Sequence, residues 1–379
     1  MASTAVSENP RFVRPPKRGA FANLWVAVVL WIASNAFMLG VATIASWEGM
    51  ASYSRVSDFC KWDCGWYGSV LQMGYWVQTM PDTAAANWPF HPLFPLTAYP
   101  FYKWFHVPLA GSVVWAGKLE LLLAIYAFLL MVSDEAPDTG ERFRAASLVA
   151  FNPYVIYAHA GYAEPLYFAC IAFAFYFAAR RGWIMAGGMG GLASATRFVG
   201  VMFLLAYVTS WLKDRSPDLR HDHASVNRLI GLLLCPLGTA LFMLYMWAHM
   251  GDAMVQQHTQ VSWGKVAGNP LHTLHAALWQ HHWPRLWAAM VVAALLLSVS
   301  LWRMHKPEMA VFLAAVVLIP ISATYVAAAR YIWWQPPLLY AIYCWLRRYP
   351  AWWIPYIVFT SGMAAFMVIG WFSGHNFVV

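Results

Sequence analysis

Among the side chains with the chemistry to handle a charged substrate, Asp63, Glu164, Arg197 and Arg330 stand among apolar or aromatic neighbours. Asp63 lies in Lys61-Trp62-Asp63-Cys64-Gly65-Trp66-Tyr67. A carboxylate in a partly dry aromatic setting can act as a general base or hold a cation. The competing reading is an interfacial Trp/Tyr anchor with an incidental acid. Arg197 and Arg330 each interrupt an apolar run. A lone guanidinium there needs an anion; otherwise it snorkels to the interface or pairs with Glu164 or Asp252. Glu164 opens an apolar stretch, where a carboxylate either caps the helix it begins or joins the chemistry. His91 and His159 read equally as substrate contacts or as hydrogen-bonded packing histidines.

Those residues are carried by a very apolar chain. It has 379 residues, 61% hydrophobic and 11% charged, with a mean hydropathy of +0.52. Soluble domains carry about 25% charged residues, so the composition predicts an all-α polytopic membrane protein, and no long polar block marks a separate soluble domain. The 23 Trp suit interfacial belts. The net charge of +8 fits a cytoplasmic Lys/Arg excess plus anion-binding residues and does not require nucleic acid.

Hydropathy predicts about 11 transmembrane helices in one domain, 21–379, after a polar tail, 1–20. Arg11, Arg14, Lys17 and Arg18 precede the first span, Phe21 to Ser46, and keep the N-terminus cytoplasmic. The tail, with Pro10, Pro15 and Pro16, does not read as a cleavable leader. A first outer loop follows over 47–108, with an interfacial helix expected over Asp58 to Val77 and a proline-rich, non-helical run after it. Later spans are Leu109 to Val132, a third ending at Ala158, a fourth ending at Arg180-Arg181, and two short ones within Trp183 to Leu212 that meet at Arg197. A seventh, Leu229 to His249, leads to a second outer loop, 250–283, whose His272 to Trp283 run reads as a surface helix. Four more spans bring the C-terminus outside. This topology puts sixteen of the 24 Lys and Arg on the cytoplasmic side, as the positive-inside rule requires.

The same topology gathers Asp58, Asp63, His91, His159, Glu164, Arg197, Asp252, Gln260 and Arg330 at the outer face. The pattern suits a lipid-phosphate substrate, with cations on the phosphate and a carboxylate taking a proton from an acceptor hydroxyl. For a sugar on polyprenyl phosphate, a single base opposite the leaving group predicts inversion through an oxocarbenium-like state.

Several segments also resemble a known family. Trp62-Asp63 with Trp66-Tyr67 and Gly74-Tyr75 is similar to the W-D-x-x-W-Y…G-Y motif of the PIG-V-like mannosyltransferases. Phe90-His91-Pro92-Leu93-Phe94-Pro95 is similar to their F-F-P-L-Y-P run, and Asn152-Pro153 with Gly161-Tyr162-Ala163-Glu164-Pro165-Leu166 to N-P…A-Y-S-E-S-L. Gly191-Leu192-Ala193-Ser194-Ala195-Thr196-Arg197 resembles G-L-A-A-L-T-R. Gly251-Asp252 with Gln260 and Trp263-Gly264 resembles G-D…Q…W-G, and Ala329-Arg330-Tyr331 resembles P-R-Y. The ordered set covers most of the chain. It implies a GT-C-like bundle, a polyprenyl- or dolichyl-phosphate sugar donor, an essential Asp in the first outer loop that maps to Asp63, and no required metal or other cofactor. Lys61 stands where the family often has His, His91 where it has Phe, and Pro165 where it has Ser. These departures bear on the acceptor and the sugar.

The expected site therefore has Asp63 and Glu164 as catalytic carboxylates and Arg197, Arg330 and Lys61 on the donor phosphate. Trp62, Trp66, Tyr67, His91, His159, Tyr162, Asp252, Gln260, Trp263 and Tyr331 are the expected substrate contacts. The expected partners are a polyprenyl-phosphate sugar, a glycan, lipid or protein acceptor, and membrane lipid. The short loops fit a bacterial inner membrane with the site facing the periplasm. The alternative function is a transporter or flippase of a lipid-linked anion; the carboxylate in a loop and the lack of a visible repeat weigh against it. The five Cys form no metal pattern, and Cys60 and Cys64, at i and i+4, would bridge a regular helix poorly, so two free thiols are expected there.

Overall fold

In hydrocarbon every backbone N–H and C=O must be bonded within its own segment, which favours helices throughout. The computed structural model describes residues 17–76, 86–214, 222–263, 265, 268–326 and 328–375, and all regular elements among them are helical. The first span is α1 (Lys17–Trp47). The first loop then holds a 3-10 turn (Val56–Phe59), α2 (Asp63–Met73) and α3 (Leu93–Lys103). α4 (Leu109–Met131) crosses the centre of the bundle, followed by α5 (Thr139–Ala150), the single turn α6 (Ile156–His159) and α7 (Glu164–Ala179). Next come α8 (Trp183–Thr196), α9 (Phe203–Lys213), α10 (Asp222–Leu234) and α11 (Leu237–Met250). The second loop carries α12 (Val255–His258) and α13 (Pro270–Trp279). The last quarter is α14 (Trp283–Arg303), α15 (Pro307–Ala323), α16 (Ala328–Trp333), α17 (Pro336–Arg348) and α18 (Trp353–Phe372).

Four of these are long and apolar enough to cross a membrane: α1 from Ala22, α4, α14, and the Pro350–Phe372 segment that contains α18. The pair α10 and α11 adds a fifth crossing if counted as one span, and α7, the Phe198–Lys213 segment and α15 are apolar but shorter. The chain is a multi-pass membrane protein, but its helices do not map one to one onto eleven spans. The breaks have local causes. The stretch read as one span over Leu229 to His249 bends by 45°, because Pro236 removes a backbone donor between the two helices. The expected third span stops at Ala150, where Pro153 restricts Asn152 and the Asn152 side chain accepts the Tyr154 N–H at 2.7 Å. Trp183 to Leu212 does divide at Arg197, which is extended (φ −155°) between α8 and a 3-10 turn, Phe198–Met202.

The first loop differs most from expectation. The continuous helix expected over Asp58 to Val77 is interrupted at Cys60–Trp62, and Val77 lies outside the described residues. Trp62 takes φ 50°, a conformation an L-residue adopts at some cost, and this reversal starts α2 at Asp63. The non-helical break brings the Cα atoms of Cys60 and Cys64 to 5.2 Å, and the two form a disulfide. The expectation of two free thiols assumed regular helical spacing and is corrected. The proline run is also helical from Leu93, since Pro95 falls in the first turn, where its missing N–H costs nothing; Pro100 is accommodated further along.

α7 is buried on nearly every side and packs between α4 and α8, and α8 packs on α10. Glycine sets the last approach: a Cβ on Gly187 would fall 2.0 Å from the Gly231 carbonyl oxygen, so the backbones of α8 and α10 touch. That contact fixes the line of α8 and hence the position of Arg197 at its end.

Candidate active site

Both carboxylates open helices. Asp63 is the first residue of α2 and Glu164 the first of α7, where the helix dipole favours negative charge. Arg197 follows the last residue of α8, where the dipole favours a cation, and Arg330 sits within α16. These four side chains converge. Arg330 Nη2 donates to Asp63 Oδ2 at 2.8 Å, and its Nε donates to Glu164 Oε1. Arg197 Nη1 donates to the same Glu164 oxygen. The result is a chain, Asp63–Arg330–Glu164–Arg197, drawn from three helix ends and the short helix α16.

Aromatic rings frame the chain. The Arg330 guanidinium lies 4.7 Å from the Tyr157 ring and 4.6 Å from that of Tyr162, and Arg197 lies 4.6 Å from the ring of Tyr331. Such faces stabilise cations held out of water. The loop before Asp63 is tied down on three sides. The Asp63 N–H donates to Tyr162 Oη at 3.2 Å, and the Tyr162 hydroxyl donates to the Lys61 carbonyl at 3.1 Å. Trp371 Nε1 donates to the Phe59 carbonyl at 3.0 Å, and the Cys60–Cys64 bridge closes the turn. Upstream, Asp58 accepts from the Ser54 and Arg55 N–H groups and the Ser54 hydroxyl. Burial opposes ionisation of Asp58, but these donors and the Arg55 side chain hold its carboxyl below the usual range.

Three members of the chain, Asp63, Arg330 and Arg197, border a cavity of about 600 Å³. Asp63, Tyr67, Arg197, Gln260, Arg330 and Tyr331 line it, together with residues the sequence did not single out: Tyr167, Gln257, His258, Lys265, Trp334 and Gln335. The two carboxylates differ in access. The Asp63 side chain is 22% exposed and faces the cavity, while that of Glu164 is 1% exposed and is not part of the lining. Asp63 can therefore meet a substrate hydroxyl, and Glu164 orients the two arginines from behind.

Other expected site residues lie elsewhere. Lys61 was expected on the phosphate, but its ammonium donates to the Trp371 carbonyl at 3.0 Å and sits 5.2 Å from the Phe372 ring. Trp62 packs edge-on against Trp371 at 4.5 Å, and Trp66 stacks with Phe90 at 6.0 Å. His91 is buried, and its Nδ1–H donates to the Ser194 carbonyl at 2.9 Å. His159 lies in a polar knot away from the cavity, accepting from Lys118 Nζ at 2.8 Å with Ser34 3.2 Å from its other nitrogen. Asp252 accepts from the Met254 N–H and pairs with His258 Nδ1, both at 2.8 Å. The Trp263 side chain is outside the described residues. The aromatic Tyr157 was legible as part of Tyr157-Ala158-His159, but its contact with Arg330 was not. No group of three His, Cys, Asp or Glu side chains suited to a metal occurs among the described residues.

No protein family and no curated protein matches the chain. It is similar to two crystal structures of ArnT from Cupriavidus metallidurans. With the form bound to undecaprenyl phosphate it shares 15% identity over 94% of this chain and 72% of that one, at a TM-score of 0.49. With the apo form it shares 13% identity over 85% of this chain and 76% of that one, at a TM-score of 0.33.

Proposed function

We propose that this protein is a GT-C-type, PIG-V-like membrane glycosyltransferase that moves a hexose, with mannose the first candidate, from a polyprenyl-phosphate donor to an acceptor hydroxyl. The observation that carries the reading is the Asp63–Arg330–Glu164–Arg197 chain at the wall of the cavity. It offers a reachable carboxylate beside cations, which is what the reaction needs. Asp63 takes the proton of the acceptor hydroxyl as that oxygen attacks the anomeric carbon. The bond from the anomeric carbon to the phosphate oxygen breaks on the opposite side, and polyprenyl phosphate leaves with the electron pair. Attack opposite the leaving group inverts the anomeric centre. Cations beside the cavity stabilise the charge that develops on the departing phosphate. No cofactor takes part in these steps.

The ordered motifs shared with the PIG-V-like family support the same reading, and Asp63 is the residue to which both lines of argument lead. The Cys60–Cys64 disulfide beside Asp63 supports an outward-facing site, because such bonds persist in oxidising compartments such as the periplasm. The test is to incubate purified protein with radiolabelled polyprenyl-phosphate sugars and membrane extract, with and without EDTA. The expected result is a labelled product of inverted configuration, formed equally in EDTA. Donor translocation without product would replace the reading with transport.

A further inference from the structure

The charges around the cavity are uneven. Arg330 is engaged by both Asp63 and Glu164, and Arg197 by Glu164. Lys61 is turned towards the end of α18. Lys265 differs from all three. It lines the cavity, and its ammonium has no hydrogen-bond or ion-pair partner among the described residues. Its backbone N–H donates to the Gln260 carbonyl at 3.0 Å, closing the turn that carries it. Of the charges acting on the Tyr331 phenol, that of Lys265 is the largest, followed by Arg330 and Arg197. Among the described residues, three cations thus line the cavity while two carboxylates answer them. An ammonium at a cavity wall with no counter-ion among the described residues is free to meet an anionic ligand.

Building on the glycosyl-transfer reading, we propose that Lys265 receives the donor's phosphate, with Arg197 as its second cation. The ligand chemistry is a phosphate ester on a lipid. A Lys ammonium suits this task as a point charge. The Arg197 guanidinium has five N–H donors, lines the cavity, and commits only Nη1 to Glu164. Arg330, with both carboxylates on it, serves to orient Asp63.

The test compares wild type, Lys265→Gln and Lys265→Arg in nanodiscs for binding of undecaprenyl phosphate, undecaprenol and inorganic phosphate. Wild type should prefer the phosphorylated lipid over the alcohol, and Lys265→Gln should lose about 10- to 100-fold of that preference, the weight of one charge-assisted contact. Binding of the alcohol and the melting temperature should not change, and Lys265→Arg should keep most of the preference. A preference that survives in Lys265→Gln overturns the assignment. Inorganic phosphate that binds wild type as tightly as the lipid overturns the lipid headgroup as the source. Sugar transfer with an unchanged donor KM in Lys265→Gln would sink this inference and leave the transferase standing. Lys265-dependent binding in a protein that transfers no sugar supports the inference and removes the transferase reading.

Discussion

Asp63 and Glu164 hold the same arginine from opposite sides, yet replacing each by its amide should have opposite consequences. Asp63→Asn keeps an oxygen facing Arg330 Nη2, now 2.8 Å from the carboxylate, so it exchanges a charged hydrogen bond for a neutral one. At 22% exposure, solvent softens the loss further, and about 1 kcal/mol of stability is expected. The amide cannot accept the acceptor's proton, so turnover should fall by about 10²- to 10⁴-fold. Glu164→Gln removes the anion shared by both guanidiniums at 1% exposure, and Glu164 Oε2 already has no hydrogen-bond partner among the described residues. Arg197 is then left without a carboxylate, an uncompensated partly buried charge that costs about 3–5 kcal/mol. The assay pairs single-turnover rates with thermal melting on the same preparations. Asp63→Asn should be folded and nearly inactive, and Glu164→Gln should melt well below wild type. Turnover of Asp63→Asn within about tenfold of wild type would refute its role as base, and a Glu164→Gln variant as stable as wild type would refute the shared-anion account.

Reducing the Cys60–Cys64 bridge should loosen the turn before Asp63. Closing so short a loop is worth about 2 kcal/mol, and mild reductant or a Cys60→Ser, Cys64→Ser double variant should lower turnover while leaving donor binding intact; unchanged turnover in the double variant would show that Tyr162 and Trp371 suffice to hold the loop. Acid should destabilise the packing of α3 on α8 through His91. Burial drives its imidazole from 6.5 down to about 4, against the Ser194 hydrogen bond. The folded protein therefore binds this proton more weakly than the unfolded chain, so the His91 contribution is complete above pH 6.5 and drains away as the pH falls towards 4. The window is worth roughly 3 kcal/mol, and His91→Gln should flatten the fall in melting temperature over it; an equally steep fall in that variant would assign the effect to other groups.

The environment of the site and the residue types that build it were legible from local sequence. Hydropathy sums over neighbouring residues, so the membrane class needed only local information. The same holds for the break at Arg197, where an Arg stands between apolar runs. Other breaks were written just as locally, in Pro236 and Asn152-Pro153, but a span-length window averages across them. The disulfide was missed for a related reason: spacing predicts a bridge only when the intervening backbone is known, and the φ of 50° at Trp62 is not a property of Trp. Which charges meet depended on the folded bundle. Asp63 and Arg330 are separated by 267 positions and Glu164 and Arg330 by 166; local sequence marked the two arginines as needing an anion but offered Glu164 and Asp252 alike, and the fold gives both to Glu164 and Asp252 to His258. Lys61 lies two residues from Asp63 and turns to α18, whereas Lys265 comes from a distant loop to line the cavity. Hydrophobic burial is a property each residue carries with it, while an ion pair depends on where two helix ends arrive, and that is set by the packing of the whole bundle.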